Sequence, residues 1–346
     1  MKIKLISSAD AIVVYSLSIF LLVICIATGF RSLVVGIDTQ VYFSVYQNAL
    51  EGTDIAQDFE FLYRLFLGVF ASLQFGVEIF FTFLSFISIA FLFFTFCSLN
   101  RYFGKPAYDS SQLIFGFLFL FYSVFFYAAQ LNVVRQGISC FAVFFFYCCI
   151  LNRSFSWLFF ISAIFSVGFH STGYLYILVP LGLLFPYRSV FFLVAALCVF
   201  YSLGWSEELV KYFSQIFNID IYQIIMAYGF GHEYRSGARL DFAAFSVGLG
   251  LLLDLLGRVG GARISSWRDR YFSVVKFYWL LLVPFFLVGF GNYSDRLLLN
   301  AWLFFSIVMS VFFSNYIFRA AEVVFGTFIL LVLGGGAYIL STQNML

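Results

Sequence analysis

The sequence has 346 residues, of which 63% are hydrophobic, 23% aromatic and only 10% charged. Soluble domains carry about a quarter charged residues, so this composition excludes an ordinary soluble protein. The formal net charge of +2 says little as a total, and its distribution along the chain is more informative.

Long apolar runs recur along the chain, with lengths of about 17 to 25 residues that suit a hydrocarbon layer about 30 Å thick. They predict an all-α, polytopic membrane bundle forming a single domain over 1–346, because a backbone exposed to lipid must satisfy its hydrogen bonds within each segment. About eleven spans are predicted by this length criterion. They lie near 10–30, 77–98, 112–128, 135–151, 155–169, 172–185, 188–203, 241–257, 272–289, 296–316 and 322–341.

The connecting segments alternate in charge, and this alternation predicts the orientation. One set is rich in lysine and arginine and should be cytoplasmic by the positive-inside rule. It includes the N-terminus and the segment 258–270, with Arg258, Arg263, Arg268 and Arg270. The other set is acidic on balance. The segments near 31–76 and 204–240 therefore fall on the outer face, and the N-terminus is cytoplasmic.

Two helices are predicted to lie at the outer surface. The segment 59–74 must not cross the membrane, or every later loop would invert, so we interpret it as an interfacial or re-entrant helix. It carries Glu60 and Arg64 one turn apart. The alternative is a twelfth span. In the segment 205–217, apolar residues fall on one helical face, which predicts an amphipathic helix on the membrane.

Arginines on the outer face run against the positive-inside bias, so they are the first candidates for a functional site. Arg64, Arg135, Arg239 and Arg296 all lie near predicted span ends. Guanidinium groups bind phosphate through two parallel hydrogen bonds, so several together suit a lipid diphosphate. The alternative is local pairing with an acid (Glu60, Asp241 and Asp295 are the candidates), but no acid lies near Arg135 in the sequence.

A base and a sugar-binding surface are also predicted on this face. His170 stands at the outer end of a predicted span, and Asp38 follows the first span, so either is a candidate base. The alternative for Asp38 is the N-cap of a helix that begins near Thr39. Tyr42 and Tyr293 are candidates for stacking on sugars. Asp38, Asp58 and Glu60 lack metal-ligand spacing, so no metal and no cofactor are predicted. The six cysteines lie inside apolar runs and predict packing.

Five short motifs resemble, in this order, the EpsG-like family of Wzy-type bacterial polysaccharide polymerases. They are GIDTQVY at 36–42, DFEFLY at 58–63, NVVRQGIS at 132–139, FHST at 169–172 and, more loosely, NYSDR at 292–296. Together the motifs extend over most of the chain. By analogy, the resemblance also implies a fold related to the GT-C membrane glycosyltransferases.

The resemblance implies a glycosyltransferase of the bacterial inner membrane that serves O-antigen, capsule or exopolysaccharide synthesis. Its donor and acceptor would be oligosaccharide repeats linked to undecaprenyl diphosphate. A chain-length regulator protein is a candidate partner, beside the membrane lipids, and no nucleic acid is expected. Two alternatives stay open. One is an O-antigen ligase, which uses the same donor, and the other is a flippase or transporter of the lipid-linked oligosaccharide.

Overall fold

The computed structural model of the chain describes residues 8–53, 59–227, 237–261, 265–317 and 321–343, and every regular element among them is helical. The α-helices, in chain order, are α1 Ser8–Gly29, α2 Thr39–Leu50, α3 Phe61–Ser72, α4 Val77–Tyr102, α5 Ser110–Phe121, α6 Val124–Tyr127, α7 Val134–Leu151, α8 Trp157–Phe169, α9 Gly173–Ile177, α10 Tyr187–Ser202, α11 Trp205–Phe217, α12 Ile221–Ala227, α13 Leu240–Gly261, α14 Ser265–Leu281, α15 Val283–Val288, α16 Asp295–Phe312 and α17 Ala321–Thr342. A 3₁₀ turn, Val179–Leu184, and two π-helical turns, Ala128–Asn132 and Phe313–Ile317, complete the set.

Membrane spans account for a large part of this helical structure. Among the described residues, six helices are long and apolar enough to cross a membrane, or up to eight if each of two bent pairs counts as one span. The protein is therefore a multi-pass membrane protein. The predicted all-α class is confirmed, whereas the eleven spans and the GT-C-like arrangement stay predictions.

Two of the predicted spans correspond to pairs of helices with a sharp bend between them. One bend interrupts a predicted span, and the other lies between a predicted span and the helix that follows it. The predicted span at 112–128 is interrupted after α5, and the chain turns by 80° before the segment Val124–Asn132. The cause is local, because Ser123 adopts an extended conformation (φ −99°, ψ 119°) that a helix cannot continue through. The second bend, of 83°, separates α10 from α11. There Gly204 has a left-handed φ of +77°, which ends α10 and starts α11.

The two helices predicted at the membrane surface are present. Helix α3 has 12 residues and a length of about 18 Å, which is too short to cross about 30 Å of hydrocarbon. Helix α11 covers the predicted amphipathic segment 205–217, and the side chains of Leu209, Phe213, Ile216 and Phe217 are exposed. An exposed apolar helical face of this kind suits the boundary between lipid and water.

The described residues divide into two compact units. The first lies within Met1–Ile177 and Met309–Leu346, and the second is Leu178–Val308. In the first unit, α7 is the central helix and packs against α4 and α8. Its residues are buried almost without interruption, which matches the continuous apolar sequence of this helix. In the second unit, α10, α13 and α14 pack together, and the buried Asp254 of α13 accepts hydrogen bonds from Tyr187 and Trp279.

Candidate functional site

The loop between α1 and α2 is docked onto the π-helical turn that precedes α7. Gly36 has a φ of +86°, and a Cβ atom there would lie 2.6 Å from the carbonyl oxygen of Leu131. The Ile37 amide donates to Oδ1 of Asn132 (2.9 Å), and the Thr39 hydroxyl lies 3.2 Å from the Leu131 carbonyl. The GIDTQVY segment is therefore held against the start of the NVVRQGIS segment, about a hundred residues later.

This docking positions Arg135, which lies in the first turn of α7. The Arg135 guanidinium forms an ion pair with Glu60, and its Cζ lies 4.2 Å from the centroid of the Phe59 ring. The side chains of Arg135 and Glu60 are each 19% exposed, so the pair is mostly buried. Tyr42 lies beside Arg135 and interacts with it electrostatically. No acid lies near Arg135 in the sequence, as stated, but the fold supplies one from 75 residues away, so the inference that Arg135 lacks a partner within the chain is wrong.

Glu60 also connects Arg135 to the turn that contains His170. One carboxylate oxygen of Glu60 binds Arg135, and the other accepts the backbone N–H of Ser171 at 3.0 Å. The structure thus brings three of the predicted site residues together, namely Arg135, Glu60 and Tyr42, and it joins them to the turn that contains His170. The local pair between Glu60 and Arg64 does not form, since Glu60 turns toward Arg135. The Nε atom of Arg64 is buried and has no hydrogen-bond acceptor among the described residues.

The hydrogen bonds of His170 indicate which ring nitrogen carries the proton. The Thr172 amide donates to Nδ1 of His170 at 3.3 Å, and the Thr172 hydroxyl lies 2.8 Å from the same atom. An amide N–H can only donate, so Nδ1 is the acceptor and a neutral imidazole carries its proton on Nε2. In this tautomer His170 offers a hydrogen-bond donor on Nε2, which differs from the predicted role as a base.

Asp38 immediately precedes α2, as predicted, and is half-buried. It occupies the N-cap position of α2, as the alternative predicted, but its side chain makes no capping hydrogen bond to the helix. Among the described residues, no group of three or more histidine, cysteine, aspartate or glutamate side chains is arranged to hold a metal. Asp58, the third acid considered for a metal, lies outside the described residues.

The second unit holds the other predicted arginines. Arg239 forms a two-pronged ion pair with Asp241, with N–O distances of 2.9 and 2.6 Å, which confirms the predicted local pair. Its Cζ also lies 3.8 Å from the centroid of the Phe242 ring. In the NYSDR segment, the Arg296 guanidinium lies over the Tyr293 ring, with 4.7 Å between Cζ and the centroid. The predicted roles of Arg239, Arg296 and Tyr293 in substrate binding remain predictions.

Arg31 was missed as a site residue, although it lies in the first unit beside the Arg135 cluster. Only 6% of Arg31 is exposed, and its Nε donates to the Thr39 hydroxyl at 3.2 Å. Burial lowers the pKa of Arg31 from its usual value, but arginine stays protonated in proteins. The filter for outer-face arginines next to spans would have found it, because Arg31 follows the first span by two residues.

One comparison with known proteins gives a match. A family model described as the EpsG family matches residues 14–344, which is nearly the whole chain. No curated protein and no solved structure matches the chain.

Proposed function

Because the chain belongs to the EpsG family, we propose that it is a polysaccharide polymerase that joins oligosaccharide repeats on the outer face of the bacterial inner membrane. Family membership associates the chain with polysaccharide biosynthesis and with a glycosyltransferase-like polymerase. The finer part of the proposal concerns the substrate. The donor and the acceptor are both repeats linked to undecaprenyl diphosphate, and no nucleotide sugar takes part.

One observation carries the proposal, namely the mostly buried Arg135 that Glu60 ties to the His170 turn. A guanidinium in this position suits a diphosphate, because it keeps its charge when partly desolvated and binds oxyanions through paired hydrogen bonds. The aromatic rings of Phe59 and Tyr63 flank it and fix its plane. Such fixed donors stabilise developing negative charge without the cost of reorganising at the moment of reaction.

The reaction is a glycosyl transfer. The hydroxyl oxygen of the acceptor sugar forms a bond to the anomeric carbon of the donor, and the bond from that carbon to the diphosphate oxygen breaks. The bonding electrons leave with undecaprenyl diphosphate, where Arg135 stabilises the charge. The hydroxyl proton passes to a base. Asp38 is favoured for this role, because Nδ1 of His170 already accepts a hydrogen bond from Thr172, and Nε2 of His170 can then donate to a substrate oxygen.

The remaining predicted site residues have narrower roles in this proposal. Arg64 adds positive charge for the diphosphate in the first unit. The substrate-binding roles of Arg239 and Arg296 in the second unit stay predictions, and both oxygens of Asp241 already hold the Arg239 guanidinium. Tyr42 is buried and lies against Arg135, so it orients the guanidinium, and we no longer propose that it stacks on a sugar. Tyr293 is half-buried and its ring lies under the Arg296 guanidinium, and its role in stacking on a sugar stays a prediction.

A deletion strain tests the function by the banding of its surface polysaccharide. If the chain is a polymerase, lipopolysaccharide cores or capsule carriers in the deletion strain should bear one repeat. Complementation with the wild-type chain should restore full ladders. Cores without any repeat would indicate a ligase, and lipid-linked repeats trapped in the cytoplasmic leaflet would indicate a flippase. Full ladders in the deletion strain would contradict all three. Complementation with an epitope-tagged chain provides the control for protein level.

A further inference from the structure

Arg31 carries a buried positive charge for which the described residues provide no carboxylate. Its Nε donates to the Thr39 hydroxyl, and Nη1 donates to the Thr28 carbonyl at 3.1 Å. Its Cζ lies 4.3 Å from the centroid of the Phe81 ring. All of these partners are neutral. Buried charges in proteins are normally paired, because their desolvation is costly, so Arg31 calls for an anion.

Three buried donor atoms of Arg31, Arg135 and Tyr63 lack hydrogen-bond partners among the described residues. Nη2 of Arg31 is buried and has no acceptor among the described residues, and the same holds for Nε of Arg135 and the hydroxyl of Tyr63. Tyr63 is fully buried and interacts electrostatically with both arginines. Arginine nitrogens can only donate and the tyrosine hydroxyl can donate. Three unsatisfied donors near two guanidinium groups match a ligand that is rich in acceptors.

We propose that Arg31, Arg135 and the Tyr63 hydroxyl together form a binding site for a diphosphate, with Arg31 as its inner residue. This inference rests on the proposed function and names the atoms that hold the leaving group. Arg31 is more deeply buried than Arg135, so it binds the phosphoryl group that enters further. Glu60 pairs with Arg135 in this structure, and the diphosphate competes with Glu60 for that guanidinium.

Tyr63→Phe is the sharpest test, because it removes only a hydroxyl that has no hydrogen-bond partner among the described residues. A buried hydroxyl without a hydrogen bond is destabilising, so the variant should unfold at the same temperature as the wild type or higher. If the hydroxyl donates to the charged diphosphate, the affinity should fall about ten- to a hundredfold. The measurement is thermal unfolding of the purified full-length protein in phosphatidylcholine nanodiscs, with increasing undecaprenyl diphosphate or inorganic pyrophosphate.

Arg31→Lys keeps the charge but loses the planar fork, and we expect it to weaken diphosphate binding by tenfold or more. Arg101→Lys is the matched control, because Arg101 is exposed in the last turn of α4 and should leave the affinity unchanged. A second set of nanodiscs, made with phosphatidylglycerol and no added diphosphate, identifies the source of the phosphate. Stabilisation by phosphatidylglycerol that depends on Arg31 would overturn the proposal in favour of a phospholipid headgroup.

The outcomes separate this inference from the function on which it rests. Wild-type affinity in both Tyr63→Phe and Arg31→Lys, together with loss of affinity in Arg135→Lys, would overturn the role of Arg31 and leave the polymerase intact. No diphosphate binding by the wild type, together with full ladders in the deletion strain, would overturn the polymerase. If Arg31→Lys fails to accumulate, the affinity of Tyr63→Phe decides the question alone.

Discussion

Arg135 and Arg239 show two ways in which this chain accommodates an arginine at the end of a predicted span. Arg239 pairs with Asp241, two residues away, and the carboxylate is 55% exposed. Arg135 pairs with Glu60, 75 residues away, and both side chains are only 19% exposed. The charge of Arg239 is neutralised by an acid in the same helix start, so this pair does not depend on tertiary packing. Arg135 is neutralised only when the start of α3, the start of α7 and the turn after α8 pack together, so its ion pair depends on the tertiary fold of the first unit.

From this comparison we infer that Arg135, whose ion pair depends on tertiary packing, is the arginine that takes part in the reaction. Replacing its guanidinium should therefore have the largest effect on the polymerisation rate. Arg135→Lys and Arg135→Ala should each lose about 2 to 4 kcal/mol of transition-state stabilisation, or about thirty- to a thousandfold in rate. Polymer ladders and membrane protein levels are measured together in the complemented deletion strain.

Arg239→Lys is the comparison for this experiment, because its guanidinium is already held by both oxygens of Asp241. It should retain most of the polymer. Full ladders from both Arg135 variants at normal protein level would contradict the role of Arg135. An equal loss in Arg239→Lys would break the comparison and place both arginines on the substrate.

A substitution in the 36–39 loop, which packs against the turn before Arg135, should have the second largest effect, in this case on stability. Gly36→Ala carries the cost of a left-handed residue, about 1 to 2 kcal/mol, and adds overlap with Leu131, Asn132 and Thr39, whose atoms lie 2.6 to 2.9 Å from the added carbon. Such overlap costs a further 1 to 3 kcal/mol, approximately. Thermal unfolding of the purified protein measures the sum.

Gly52→Ala is the matched control. Gly52 has a similar φ of +71°, but nothing lies within 4 Å of an added Cβ, so it should cost only the backbone part. Equal destabilisation by the two variants would mean that the contact between the 36–39 loop and the turn before α7 contributes nothing to stability.

The different fates of these residues show what the sequence can reveal. Arg239–Asp241 was predicted because both partners lie within one helix start, and the amphipathic face of α11 was predicted because helical periodicity is local. The pair of Arg135 and Glu60 was not, because its partners meet only through tertiary packing. The candidate residues in the first unit were predicted to lie on the same outer face, but their order in the sequence could not say that Glu60 would connect Arg135 with Ser171.

The bends and Arg31 were missed for different reasons. No proline or glycine lies at 117–133, on either side of the break at Ser123, so hydropathy predicted one span where the structure has a bent pair. Arg31 met the stated criterion of an outer arginine beside a span. Its burial and its hydrogen bond to Thr39 of GIDTQVY arise only in the folded structure.

A double-mutant cycle measures the energy of the pair in the first unit directly. The variants are Glu60→Gln, Arg135→Gln and both together, and the coupling energy for stability should be about 1 to 3 kcal/mol, as for contacting residues in one network. The single variants should each cost more than this coupling alone, because each leaves a mostly buried partner without its counter-charge. Additive effects of the two changes would contradict the pair's contribution to the fold.

The same cycle on Arg239 and Asp241 should give the smallest effect. Their geometry is two-pronged, which favours the upper part of the range for surface pairs, but the exposed carboxylate limits the coupling to about 0.5 to 1 kcal/mol.

The two ion pairs should also differ in how their coupling energies respond to salt. Raising the ionic strength from about 0.1 M to about 1 M shortens the screening length from about 10 Å to about 3 Å, and exposed charges feel this most. The coupling of Arg239–Asp241 should therefore shrink toward zero in high salt while that of Glu60–Arg135 persists. If both couplings fall together, then Glu60 and Arg135 are as accessible to solvent ions as the surface pair, and the mostly buried site argued for the diphosphate does not exist.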